Sequence, residues 1–359
     1  MTSEESAIMN HWCKGIFIIL IGLMLSSCGQ SSSDQLVVYS GRSQALVEQL
    51  VADFKKQTGI NIEVRYGNDA ELLAVLNEEG DKSPADLYWA NTTGALATAS
   101  KQGLLRKLPD SLLNKPDNFT SSSGKWIPVT VRYRVLAYNP KTVDPEDLPE
   151  SVMDIPKMEK YKGRIGWTPT YSSFYDFMTT MRLMKGDDVA RQWLNNMKEL
   201  DPNAYSSNPP MVQAIAAGEI DIALTNHYYI FRLKYGGGEG EYENETYYGE
   251  KGPDESAPIE TYHFAKNDIG NLALVTGASE LQTSKDHQAA QKFLSFLLSK
   301  QAQRYAATSV HEYPVIRDVD LPEYMLQEEE AFELSPKYDY EQLQQLEGTL
   351  NMLREVGII

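Results

Sequence analysis

The alternation of short apolar, β-branched runs with amphipathic stretches constrains this chain more than any other feature. LVVY at 36–39 leads through the turn Ser40-Gly41-Arg42 into QALVEQLVADFKKQ at 44–57, with Ser43 placed as a helix N-cap. Val47, Leu50, Val51 and Phe54 recur at i, i+3, i+4 and i+7, which makes one buried helix face. Gly59 ends that helix, and INIEVRY at 60–66 returns as a strand. A second helix starts at Asp69 and stops near Gly80, ADLYWA at 85–90 is the next strand, and 94–102 the next helix. This β-α-β-α-β order implies an α/β fold with a parallel, doubly wound sheet.

The pattern resumes farther on. VTVRYRVLAY at 129–138 suits a strand running between two lobes, and the segment 139–156, with four prolines, connects into the second. There 164–167 reads as a strand and TPTYSS as a loop, and FYDFMTTMRLM is a helix burying Phe174, Phe177, Met178 and Met181. MVQAIAAGEIDIAL is a helix, a stop at Gly218 and a strand, after which NHYYIFRLKY opens another helix. At 359 residues the chain has room for two such lobes. The expected division is 36–136 in the first lobe and 137–270 in the second, with 271–310 returning to the first. A helical segment at 311–359 is expected to pack mainly on the second. The Gly-rich, acidic stretch 236–260 lacks periodicity and reads as a solvated surface insertion.

The net charge of −17 argues against nucleic acid, whose phosphates an acidic surface repels. The first 28 residues read as a lipoprotein signal peptide. Lys14 precedes the apolar run GIFIILIGLML at 15–25, too short to span a bilayer comfortably, and Leu-Ser-Ser-Cys follows. That string resembles a bacterial lipobox, implying cleavage and lipidation at Cys28, with 29–35 as a tether and an extracytoplasmic location on the membrane surface. The acidic stretch 1–6 is unlike a signal n-region, and a start at Met9 supplies a better one. Cys13 and Cys28 are the only cysteines, so a mature domain would contain no disulfide, thiolate metal site or cysteine nucleophile.

No enzyme constellation emerges. His227, His263, His287 and His311 fall in no H-E-x-x-H or i, i+4 pair, and neither a G-x-S-x-G elbow nor a complete phosphate loop is present. The one arrangement with chemical promise is the adjacent pair Tyr228 and Tyr229, directly after the strand EIDIAL and at the opening of a helix. Ligands of open α/β sheets bind at such strand ends. A tyrosine is neutral at pH 7, but a trivalent hard cation stabilises its phenolate. Most tyrosine pairs are packing, so the pair alone does not decide the matter.

The string ALTNHYYIFRL at 223–233 closely resembles the tyrosine-pair segment of periplasmic ferric-iron-binding proteins, the transferrin-like receptors of bacterial ABC importers. VVYSGR at 37–42, AELLAVLNEEGDKSPADLYWAN at 70–91, VRYRVLAYNP at 131–140, YKGRIGWTPT at 161–170 and HEYPV at 311–315 match in the same order. The resemblance implies two α/β lobes of type II periplasmic-binding-protein kind joined by hinge strands. It implies a monomeric, non-enzymatic receptor that binds Fe³⁺ and delivers it to a permease and ATPase.

On this resemblance Tyr228 and Tyr229 are phenolate ligands. A third is expected at Tyr175, off the Phe174/Phe177/Met178 face, with Tyr171 in the preceding loop as the competing choice. Where some members have a His and an acidic ligand, this chain has Ser43 and Asn91, a departure that favours completion of the shell by an anion such as carbonate. Arg42, Ser43 and Arg132 are its expected seat, Arg134 faces the same side as Arg132, and Tyr39 and Asn91 are possible cleft residues. The rival reading keeps the fold and binds an oxyanion, phosphonate, polyamine or thiamine, or makes the protein a sensory lobe.

Overall fold

A computed structural model describes residues 35–42, 44–116, 118–237 and 253–359. The leader with Cys13 and Cys28, most of the tether, Ser43 and the middle of the 236–260 stretch lie outside the described residues.

The strands are β1 Gln35–Ser40, β2 Asn61–Tyr66, β3 Leu87–Ala90, β4 Ile127–Tyr138, β5 Ile165–Trp167, β6 Asn203–Ala204, β7 Ile222–Asn226, β8 Glu260–Tyr262 and β9 Ala273–Glu280. The helices that bear on the site are α1 Gln44–Thr58, α2 Asp69–Glu79, α3 Thr93–Lys101, α4 Ser172–Lys185, α5 Asn208–Ala217, α6 His227–Tyr235, α7 His287–Leu297, α8 Lys300–Tyr305 and α9 Leu346–Val356. Local chemistry sets their ends. Asn68 and Glu71 form a reciprocal capping box on α2, and Gly218 closes α5 at φ 77°, a left-handed turn that glycine accepts without strain.

The strand order is β2-β1-β3-β9-β4-β7-β5-β6, with β8 also on β4. Pairing is parallel for β1–β3, β5–β7 and β5–β6, as the β-α alternation implies, but antiparallel wherever β4 and β9 take part. The sheet is therefore mixed rather than parallel throughout, because two long strands are threaded between its parallel ends.

β4 changes partner midway. Ile127 to Tyr133 pair with β9, and Arg134 to Tyr138 pair with β7. At about 3.3 Å per residue the strand is about 40 Å long, enough to run from one hydrophobic core into the next. Val129, Val131 and Tyr133 join a core built on β1, β3 and α7, where Phe54 meets Phe293 edge-on at 5.1 Å. Leu136 enters a second core with Phe174, Phe177, Met178 and Met181, the α4 face read from its periodicity. Val135 and Ala137 point to the opposite face, against Met211 and Ile215 of α5.

The segment after 310 divides between cores: Tyr313, Val315, Met325 and Ala331 pack in the first, Met352, Leu353 and Val356 in the second. The far end of the 236–260 stretch is not solvated as expected. Ala257 and Ile259, its apolar residues, are buried beside α5 and α6, and Glu260 enters β8.

Candidate functional site

The site forms where strand ends converge. β1 delivers Arg42, β3 delivers Asn91, β5 leads to Tyr171, β7 leads to Tyr228 and Tyr229, and β4 passes Arg132 between them. The tyrosine pair occupies the first turn of α6, directly after β7, as its sequence position implies.

His227 anchors that turn. Its Nδ1 accepts the Tyr133 N–H at 3.0 Å, and its Nε2–H donates to the His311 carbonyl at 2.7 Å. With both nitrogens engaged and the ring buried, its pKa is pushed down to about 4, so the imidazole is neutral and has no lone pair to spare for a metal.

The Tyr228 and Tyr229 rings lie 4.1 Å apart between centroids, and both residues are only 5% exposed. One turn on, the Arg232 guanidinium sits 4.3 Å from the Tyr228 ring centroid, a cation–π contact inside the protein. The Tyr171 hydroxyl lies 3.1 Å from that of Tyr229. Burial foremost, and Tyr171 after it, push the Tyr228 phenol up to about 12, against the pull of Arg132 and Arg232. Burial works against the charge of Arg132, but the three phenols and Glu312 hold its pKa above the ordinary range.

Of the two candidates for a third tyrosine, the structure brings Tyr171 to the pair and leaves Tyr175 out. Tyr171 stands in the loop at the C-terminal end of β5. Tyr175 is one helical turn farther along α4, packed at the edge of the second core with Arg354 of α9 as its neighbouring charge. Avoiding the apolar face of α4 did not bring Tyr175 into the site. Tyr39 is also elsewhere: it donates to Glu79 at 2.9 Å and accepts from Arg65 at 3.3 Å.

Asn91 is central. Its Oδ1 accepts from Arg42 Nη1 at 2.7 Å and Arg132 Nη1 at 3.1 Å, and its carbonyl accepts from Arg132 Nη2 at 2.5 Å. Asp69 holds it in place by accepting the Asn91 and Thr92 N–H groups at 3.0 and 2.9 Å. Arg134, two residues beyond Arg132, bonds Ser173, Asn226 and the Leu224 carbonyl, and burial lowers its pKa to about 10.

Two carboxylates escaped the sequence reading. Glu312, 1% exposed, pairs with Arg42 Nη2 at 2.7 Å and accepts from the Thr130 hydroxyl. Burial opposes its charge, yet Arg42 and Arg132 hold its pKa down at about 2. Its segment, HEYPV, entered the sequence analysis only as part of the family resemblance. Asp176 on α4 is buried too, and its pKa is raised to about 7 by burial, opposed by Arg132 and Arg134.

Among the described residues, no group of three or more His, Cys, Asp or Glu side chains is placed to hold a metal ion. What the site offers is phenol oxygens, with Arg42, Arg132, Arg134 and Arg232 around them. Such surroundings favour phenolate once a cation displaces the protons.

Residues 49–333 match the model of the bacterial extracellular solute-binding protein family. The chain belongs to that family. This solute-binding protein is 30% identical over 304 residues to the Fe(3+)-binding periplasmic protein of Serratia marcescens, covering 84% of this chain and 85% of the relative. It is 30% identical over 304 residues to the major ferric iron-binding protein of Neisseria meningitidis serogroup B, covering 82% and 85%. Its fold superposes on the crystal structure of iron-bound HitA from Pseudomonas aeruginosa with a TM-score of 0.78 and 30% identity, covering 90% of this chain and 99% of that one. The family resemblance and the type II periplasmic-binding-protein architecture expected from the sequence are thereby borne out.

Proposed function

We propose that this solute-binding protein captures ferric iron through the phenolate oxygens of Tyr171, Tyr228 and Tyr229 and presents it to the permease and ATPase of an ABC importer. The observation that carries the reading is the convergence of the three tyrosines, with the Tyr171 and Tyr229 hydroxyls 3.1 Å apart and the Tyr228 and Tyr229 rings 4.1 Å apart. Hard oxygen donors suit a hard trivalent ion, and three phenolates balance its charge. The names of curated relatives such as the Fe(3+)-binding periplasmic protein of Serratia marcescens and the iron uptake protein A1 of Synechocystis support the same cargo. Tyr171 replaces Tyr175 in this ligand set on the geometry above.

The family resemblance implies carbonate beside Arg42 and Arg132 as an accompanying anion. We take the protein to be an exported monomer, tethered through a lipid on Cys28. This agrees with the extracellular class of its family.

The test is optical. Ferric loading should produce a visible phenolate-to-iron charge-transfer band, and Tyr229→Phe should weaken and shift it. A wild-type protein that stays colourless and binds no iron by metal analysis would remove the assignment.

A further inference from the structure

The two arginines expected to seat an exogenous anion already hold protein oxygens. Arg42 gives Nη1 to Asn91 Oδ1 and Nη2 to Glu312 Oε1, both at 2.7 Å. Arg132 gives Nη1 and Nη2 to the side chain and backbone of Asn91. The Arg42–Glu312 ion pair is sealed from solvent, its side chains 3% and 1% exposed. The far side of the carboxylate is occupied as well: Thr130 donates to Glu312 Oε2 and is itself hydrogen-bonded to Thr276 at 2.7 Å.

The backbone places that carboxylate by an unusual route. Ala306–Val310 forms a π-helical turn, and His311 follows at φ 60°, a left-handed conformation uncommon for a non-glycine residue. Departures of this kind persist where surrounding contacts enforce them. Here the contacts are those of His311, whose Nε2 reaches the Gly236 carbonyl at 2.7 Å and whose Nδ1 lies 2.8 Å from the Tyr324 hydroxyl. Glu312 is the next residue, and the Glu312 N–H returns to the Ala306 carbonyl at 3.0 Å.

We propose that Glu312 is a built-in counter-anion, so that the site binds ferric iron without carbonate or any other exogenous synergistic anion. The inference rests on the ferric reading above and deepens it. Glu312 is a positioning residue: it touches Arg42 rather than the metal, and holds the basic pair in the posture that an external anion would otherwise induce. Occupancy supports the assignment: Glu312 already gives Arg42 Nη2 the carboxylate oxygen that a carbonate would offer, and Asn91 already takes both Nη groups of Arg132.

The experiment loads the full chain with ferrous chloride oxidised by air freed of carbon dioxide, in buffer with and without added bicarbonate. Wild type should develop the same charge-transfer band, at one iron per chain, in both buffers. Glu312→Gln should lose affinity in the bicarbonate-free buffer on the order of tenfold, the scale of a charge-assisted bond, and recover when bicarbonate is added. Should that variant fail to fold, isotope-labelled bicarbonate settles the question on the wild type, with no label expected to remain on the loaded protein. A wild-type band that requires bicarbonate, one retained label per iron, or a folded Glu312→Gln protein indistinguishable from wild type would each overturn the proposal and leave the ferric reading intact. Absence of a band in both buffers would overturn the ferric reading, and this one with it.

Discussion

His227 Nε2 lies 2.7 Å from the carbonyl oxygen of His311, a single hydrogen bond that ties the residue before the tyrosine pair to the residue before Glu312. On its other side the same ring receives the Tyr133 N–H from β4. One neutral imidazole therefore spaces three parts of the site: the phenols of α6, the arginine strand β4 and the segment that carries the carboxylate.

His227→Phe should show what that spacing contributes. Phenylalanine fills most of the volume but leaves the His311 carbonyl and the Tyr133 N–H buried without their partner. Each such orphaned group costs about 1–3 kcal/mol. Denaturant unfolding should register a loss of about 2–6 kcal/mol, and ferric affinity should fall as well. A variant as stable as wild type would mean that the ring serves only as packing.

The two tyrosines of the α4 region separate cleanly by experiment. Tyr171→Phe should lower ferric affinity by about a hundredfold or more, since even residues behind a metal ligand are worth roughly ten- to a hundredfold. Tyr175→Phe should leave the charge-transfer band and the affinity unchanged. Competitive titration against a coloured chelator measures both. The reverse pattern would restore Tyr175 to the ligand set.

That pair also illustrates what sequence reveals and what it hides. The apolar faces of α1 and α4 and the placement of the tyrosine pair at the end of β7 follow from periodicity and punctuation, and the structure agrees. Choosing Tyr171 over Tyr175 depends on where a loop leaves a strand end, a tertiary fact to which helical periodicity is silent. Glu312 was harder still. Its partners Arg42 and Thr130 are brought to it by folding across 270 and 182 positions of chain, so no local pattern marks it. The mixed sheet was hidden for a related reason: β4 reads as one strand, and only its change of partner at Tyr133 and Arg134 reveals two sheet halves.

Loading should release protons. Burial pushes the Tyr228 phenol up to about 12, above the usual phenol value, so at pH 7 iron-free Tyr228 carries its proton. Each phenolate formed on the metal frees one, giving about three per iron, and apparent affinity should rise with pH across the range from 6 to 9. Glu312, held down at about 2, stays ionised throughout that range and contributes nothing to the slope. A weakly buffered indicator solution counts the protons. Formation of carbonate from bicarbonate would add a further one, so an extra proton released only when bicarbonate is present would signal an external anion, and none would exclude phenolate binding.

Gly41 gives a test of the turn beneath the arginines. A Cβ built there would lie 1.9 Å from Asp69 Oδ1 and 3.1 Å from the Asn91 nitrogen, so the constraint is space. Asp69 cannot retreat freely, because its two oxygens accept from Asn91, Thr92 and Tyr88, and those bonds set the loop whose Asn91 receives Arg42 and Arg132. Gly41→Ala should therefore cost about 1–3 kcal/mol, the usual range for overpacking a filled interior. It should also shift Asn91 and loosen both guanidinium groups, weakening ferric binding beyond what the loss of stability explains. The measurement pairs unfolding with competitive iron titration at a temperature where the variant is fully folded. If the folded variant binds iron as wild type does, the turn supports stability alone, and the chain of contacts from Gly41 through Asp69 and Asn91 does not govern the site.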